Sequence, residues 1–205
     1  MSARQLLGNR TGASAAEFAL VLPLLLLLTL GLIDAGRFMW EYNRAEKATQ
    51  MGVRYAVVTD LVAGGLANYT FSLAPDYIPQ GQPIPTANFS YVQCNNTSCG
   101  TCSGSMCGSI TYDSNAFTGI LNRMQAMYPL IGPSNVQVEY RNVGLGYAGD
   151  PNGPDVAPLV TVRLQGLTFK PITCMLGCSV NMPVSQAALT LEDGSNNGVS
   201  PARAN

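Results

Sequence analysis

An α+β architecture is what the sequence predicts: one long N-terminal helix, a second shorter helix and a small antiparallel sheet. Three observations predict it. Sixteen uncharged, mostly aliphatic residues lie between Glu17 and Asp34, and a helical pattern then runs on without a breaker to about Val62. Ser114–Tyr128 repeats its apolar residues at helical spacing between a capping Asp113 or Ser114 and a terminating Pro129. Val136–Val143, Leu159–Phe169 and Val180–Glu192 follow as strand-like segments joined by connections too short for parallel crossovers.

The first helix begins at Ser14-Ala15-Ala16-Glu17, where Ser14 can cap and Glu17 can reach back to complete a capping box. Ala13–Ile33 supplies 21 residues for a membrane span, if Glu17 sits at the headgroup level. Pro23 falls inside it, which membrane helices tolerate better than soluble ones. Arg4 and Arg10 precede the span and mark the N-terminus as cytoplasmic, so the remainder is expected on the far side. Trp40 and Tyr42 fall just beyond the outer interface. A signal peptide removed entirely fits less well, because the run is long and no polar break follows it.

Past Ile33, Phe38, Tyr42, Ala45, Thr49, Gly52, Val53 and Ala56 recur on one helical stripe, while Asp34, Arg37, Glu41 and Arg44 form a charge ladder. Gly64-Gly65 stops the pattern. A helix from Ser14 to Val62 is roughly 73 Å long, about twice the hydrocarbon thickness. The chain therefore divides into a leader (1–12), a spanning and amphipathic helix (13–63) and an exported domain (64–205).

Residues 66–112 are rich in Pro, Gly, Asn, Ser and Thr, with short strands expected around Tyr69–Leu73 and Ala87–Gln93. In α-helical Ser114–Tyr128, Phe117, Ile120, Leu121 and Met124 make one apolar face. Val136, Val138 and Tyr140 alternate onto one side of a strand, as do Val160, Val162 and Leu164.

Composition excludes whole classes of function. The 205 residues carry a net charge of −1 with 11% charged, so no basic surface is available for nucleic acid. There is no His, which removes the commonest general base and the commonest metal ligand. No paired motif for acid/base or nucleophilic work appears. Asp113, Glu139, Asp150 and Asp155 read as solvated turns and strand faces, and neither an enzyme nor a cofactor is expected.

All six cysteines follow residue 93: Cys94, Cys99, Cys102 and Cys107 in the polar loop, Cys174 and Cys178 between strands. An even count in an exported domain points to disulfides. A four-thiolate zinc site or a redox pair at Cys99 and Cys102 has tolerable spacing, but the compartment argues against both. Four cysteines allow three pairings; a Cys94–Cys107 bridge enclosing Cys99–Cys102 is the expectation, with Cys174–Cys178 as a local staple.

Gly12-Ala13-Ser14-Ala15-Ala16-Glu17-Phe18, the aliphatic run, and Gly31-Leu32-Ile33-Asp34-Ala35-Gly36-Arg37 together resemble the N-terminus of TadE-like proteins, over about residues 10–55. These are pseudopilins or minor pilins of the bacterial tight-adherence pilus machinery. The resemblance implies a pilin-like fold and a prepilin peptidase that cuts after Gly12, leaving Ala13 first and Glu17 fifth. It also implies an inner-membrane location with a periplasmic C-terminal domain, a helical bundle beneath or within a pilus, and partners among other pilins and the secretion machinery. Glycine suits such a cut because no side chain blocks the backbone. A carboxylate drawn into the bilayer centre costs about 2.5–3.5 kcal/mol, so Glu17 seeks a partner such as the new amine on Ala13. Glu17 as a plain capping residue is the simpler alternative. Gly31 and Ala35, spaced for close helix approach, are the second assembly contact, or else plain lipid-facing residues. A permanently anchored, uncleaved scaffold or binding protein is the competing function.

Overall fold

The computed structural model describes residues 12–151, 154–174 and 177–191, and the fold is α+β. The expected leader, with Arg4 and Arg10, lies outside the described residues apart from Gly12. The chain forms two compact units: Met1–Glu41 with Thr168–Asn181, and Tyr42–Leu167 with Met182–Asn205.

Helix α1 spans Ala13–Ala56 and contributes to both units. It starts two residues earlier than a capping box with Ser14 as the cap requires. The Gly12 carbonyl accepts from the Ala16 amide at 3.1 Å, which places Ser14 inside the first turn and leaves Glu17 exposed. The expected box is therefore not the helix start. Pro23 lies within the helix without ending it. The helix also stops earlier, at Ala56 rather than Val62. Val57, Val58 and Thr59 are three β-branched residues in succession, each losing rotamer freedom in a helix. The Thr59 hydroxyl donates to the Tyr55 carbonyl at 2.8 Å, and the Val58 amide closes a tighter turn onto the same oxygen.

In the larger unit, strand β1 (Ala63–Gly64) pairs with β4 (Thr111–Tyr112), and helix α2 covers Ser114–Gln125. Asp113 caps α2 by accepting the Asn115 and Ala116 amides at 2.8 and 3.0 Å. A five-stranded antiparallel sheet runs in the order β3-β2-β5-β6-β9. Its strands are Thr101–Ser103, Tyr91–Cys94, Val136–Arg141, Leu159–Leu164 and Ser185–Thr190. Two strands of the Pro/Gly-rich segment join the expected three: β2, which overlaps the short strand expected at Ala87–Gln93, and β3, which pairs with it. Tyr69–Leu73 is turn rather than strand.

The core lies between the sheet and the two helices. Val136, Val138, Tyr140, Val160, Val162 and Leu164 are buried, as their alternation requires, and so are Phe117, Ile120, Leu121 and Met124 of α2. From α1 the stripe Ala45, Thr49, Gly52, Val53 and Ala56 enters the core. Gly52 marks the closest approach: a Cβ there would sit 2.8 Å from Met124 Cγ and 3.5 Å from Val162 Cγ1. Arg44 fastens the end of α2 by donating to the Met127 carbonyl at 2.9 and 3.1 Å. The Tyr140 hydroxyl accepts the Val62 amide at 3.0 Å.

Two carboxylates read as solvated are buried instead. Glu139 is 1% exposed on the sheet face away from the helices, where Arg141 and Arg163 cover it at 2.7 and 3.2 Å and Gln93 donates at 2.7 Å. Burial pushes its carboxyl up, but the Gln93 and Arg141 hydrogen bonds and the two guanidinium charges outweigh that and hold it below its ordinary value. Asp155 accepts from the Phe71 and Asp150 amides. Asp76 ties the loop together through Tyr69, Asn88 and Ser105, and burial with this carboxylate pushes the Tyr69 phenol up to about 12.

The bridges are Cys94–Cys99, Cys102–Cys107 and Cys174–Cys178. The nested pairing is overturned by the β2–β3 hairpin. The Asn95 side chain accepts the Thr97 and Ser98 amides and turns the chain so that Cys99 returns onto Cys94. The 3₁₀ turn Ser105–Ser109 brings Cys107 back to Cys102.

Candidate membrane and assembly site

The smaller unit holds the residues singled out for processing and assembly. From Phe18 to Ile33 the helix surface is apolar and exposed within the unit, with Leu20 at 79% and Leu24 at 71%. A helix with that much bare aliphatic surface is long and apolar enough to cross a membrane. Gly12 is an exposed turn residue directly ahead of the helix, and Glu17 lies one turn past Ala13. Gly31 and Ala35 are both exposed, and a Cβ added at Gly31 would meet no atom within 4 Å. The structure thus sets Gly12, Ala13 and Glu17 at one end of the run, and Gly31 with Ala35 at the other.

At the far end sits an arrangement that local sequence patterns did not disclose. Strands β7 (Thr168–Phe169) and β8 (Val180–Asn181) form a separate two-stranded hairpin. Both were read as the ends of longer strands. Gly166, at φ +71°, breaks the first away from β6, and Pro183 separates the second from β9. The hairpin is held by Asp34, buried to 6% exposure. Its carboxylate accepts the Ile172 amide at 2.8 Å, the Thr173 amide at 2.7 Å and the Thr173 hydroxyl at 2.8 Å.

Arg37 completes the clamp. It donates to Asp34 at 3.1 Å, reaches Glu41 at 4.0 Å, and lies 5.3 Å over the Phe169 ring. Phe38 meets the same ring edge-to-face at 5.5 Å. Three members of the charge ladder therefore act in one cluster, whereas Arg44 serves the other unit. Cys174–Cys178 closes the hairpin loop. That bridge was the one sequence signal for a structured turn here, and nothing near Asp34 announces its partner.

Among the described residues, no cluster of His, Cys, Asp or Glu is placed to hold a metal.

Residues 12–54 match the family model of TadE-like protein. The match covers most of α1, including Gly12, Glu17, Gly31, Asp34, Ala35 and Arg37, and bears out the TadE-like resemblance of that segment. No curated protein and no solved structure matches the chain. The TadE-like match and the apolar helix fit a membrane protein associated with the tight-adherence pilus.

Proposed function

We propose that this chain is a single-pass membrane pseudopilin or minor pilin that supports assembly of a tight-adherence pilus, and through it surface adhesion. Its role is structural rather than catalytic. The observation that carries the reading is the TadE-like helix itself, which begins at Ala13 directly after the exposed Gly12 and presents a bare apolar surface. A prepilin peptidase cutting after Gly12 on the cytoplasmic side would leave a helix that starts at the new N-terminus. Glu17 would stand one turn in, close enough to pair with the amine of its own or a neighbouring subunit. Gly31 and Ala35 then let a second helix approach, and the C-terminal unit stays in the periplasm. The disulfides suit that compartment.

N-terminal sequencing of the protein purified from membranes of cells that contain a prepilin peptidase tests the reading. A chain beginning at Ala13 is expected. A chain still carrying residues ahead of Gly12 would overturn processing and leave a permanently anchored scaffold in its place. Glu17→Ala should keep the protein in the membrane and abolish pilus assembly; unchanged assembly would remove the handle role.

A further inference from the structure

We propose that the Thr168–Asn181 hairpin is a second membrane contact, seated in the headgroup layer, whose apolar groove takes the upper part of a phospholipid acyl chain. The proposal rests on α1 spanning the bilayer.

Depth along the helix is the first support. Ala13–Ile33 is 21 residues, or about 31 Å, which matches a hydrocarbon core of about 30 Å. The core boundary therefore falls at Ile33, one residue before the clamp. Phe169 packs on Arg37 and Phe38, whereas Ile172 and Thr173 sit on Asp34. The described part of the hairpin thus runs back along α1 toward the span, and Ile172 and Thr173 meet α1 about 1.5 Å past the boundary. The headgroup layer is about 5–7 Å deep on each side, so Ile172 and Thr173 lie within it.

Surface chemistry is the second. Ile172 and Val180 are about half exposed, and Met39 is 57% exposed. Ala35, Phe38, Met39, Phe169, Pro171 and Val180 line a groove of about 340 Å³, with Asp34 also in its wall but its carboxylate buried in the clamp, so the surface it presents is almost entirely apolar. It continues the exposed surface of Leu32 and Ile33 just below. In water such a surface is costly, at about 25 cal/mol per Å². Lipid is already present at that depth and needs no partner of matched shape. Lys170 is exposed on the hairpin itself, a residue type that anchors an interface.

The clamp explains how irregular backbone is tolerated there. Non-helical backbone near hydrocarbon requires its polar groups to be satisfied. The Ile172 and Thr173 amides both donate to Asp34, and Arg37 balances the carboxylate charge.

Depth-dependent fluorescence quenching tests this on the full-length protein in phosphatidylcholine and phosphatidylglycerol vesicles with bromine high on the acyl chain. Trp40 is the single tryptophan, so Trp40→Phe gives a dark background. Ile172→Trp and Val180→Trp, both at exposed positions, are each expected to lose a large part of their emission to brominated lipid. Leu25→Trp, in the middle of the run, reports on the span separately, in vesicles whose bromine lies near the end of the acyl chain. If Leu25→Trp is quenched while both hairpin probes stay unquenched, the hairpin proposal alone is overturned, whether iodide reaches them (water) or not (a covering protein). If Leu25→Trp is unquenched, the span fails and the proposal falls with it.

Discussion

One helix serves two opposite purposes in its two parts. Between Phe18 and Ile33 almost every side chain is apolar and exposed; between Tyr42 and Ala56 a single stripe is apolar and buried. Helical propensity is similar in both, so propensity does not decide their fates. The distribution of charge does. A surface apolar on every side finds no place in a core of its own and must be covered by lipid or another helix. A surface with Arg44, Lys47 and Arg54 around one narrow stripe is solvated everywhere else and can close a core. The small residues follow the same division. Gly52 is pressed against Met124, whereas Gly31 has open space around it.

The sharpest way to break this comparison is to truncate one side chain in the bare run and one in the core that the buried stripe helps to close. Ile120→Ala removes a fully buried α2 side chain from that core and should destabilise the larger unit by about 2–5 kcal/mol. Leu25→Ala, at 54% exposure, should leave that unit's unfolding midpoint unchanged. Denaturant unfolding of both variants in detergent, followed by tyrosine fluorescence or circular dichroism, measures the pair. Equal losses would mean that the exposed run also packs within the monomer, and the division would be wrong.

A smaller effect is expected from the loop bridges. Replacing Cys102 and Cys107 together by Ser opens a short closed loop and should cost about 2 kcal/mol, read as a lower unfolding midpoint of the larger unit. The corresponding double change at Cys174 and Cys178 alters only the smaller unit, so its effect on the same midpoint should be negligible. A large shift there would show that the units unfold together.

What local pattern can and cannot reveal follows from the range of the interactions. The apolar run, the α2 face and the alternation of Val136–Tyr140 and Val160–Leu164 are periodic, and each is legible from a few consecutive residues. Helix ends depend on competing local bonds: Thr59 closing onto Tyr55 ends α1 where periodicity alone runs on to Val62. The disulfide pairing depends on an Asx turn at Asn95, whose outcome spacing does not encode. The Asp34 clamp is the extreme case. Two of its three hydrogen bonds from the hairpin come from the backbone amides of Ile172 and Thr173, which carry no residue-type signal, and the third comes from a single Thr173 hydroxyl 139 residues away in the chain. The burial of Glu139 is hidden for a related reason, since the Arg163 guanidinium and the Gln93 amide that cover it come from the two adjacent strands.

Glu139 also supplies the smallest effect, and its sign follows from that arrangement. Its folded carboxyl titrates below the unfolded Glu value of about 4.3, and that of Asp76, held down against burial by Ser105, Tyr69 and Asn88, titrates below the unfolded Asp value of about 3.9. For such groups the stability is present above the unfolded value and is lost as pH falls through the folded one. The larger unit should therefore be flat in stability from neutral pH to about 5 and weaken below about 4. Arg141 and Arg163 are partly exposed, so solvent screening keeps each ion pair to about 1 kcal/mol or less. Glu139→Gln keeps the shape, loses the charge and should make the acid limb shallower, with little change at its plateau beyond that small term. Unfolding midpoints measured across the acid range for the two proteins check this. An unchanged acid slope in Glu139→Gln would place the proton uptake elsewhere, with the Asp76 cluster next in line for the same substitution to Asn.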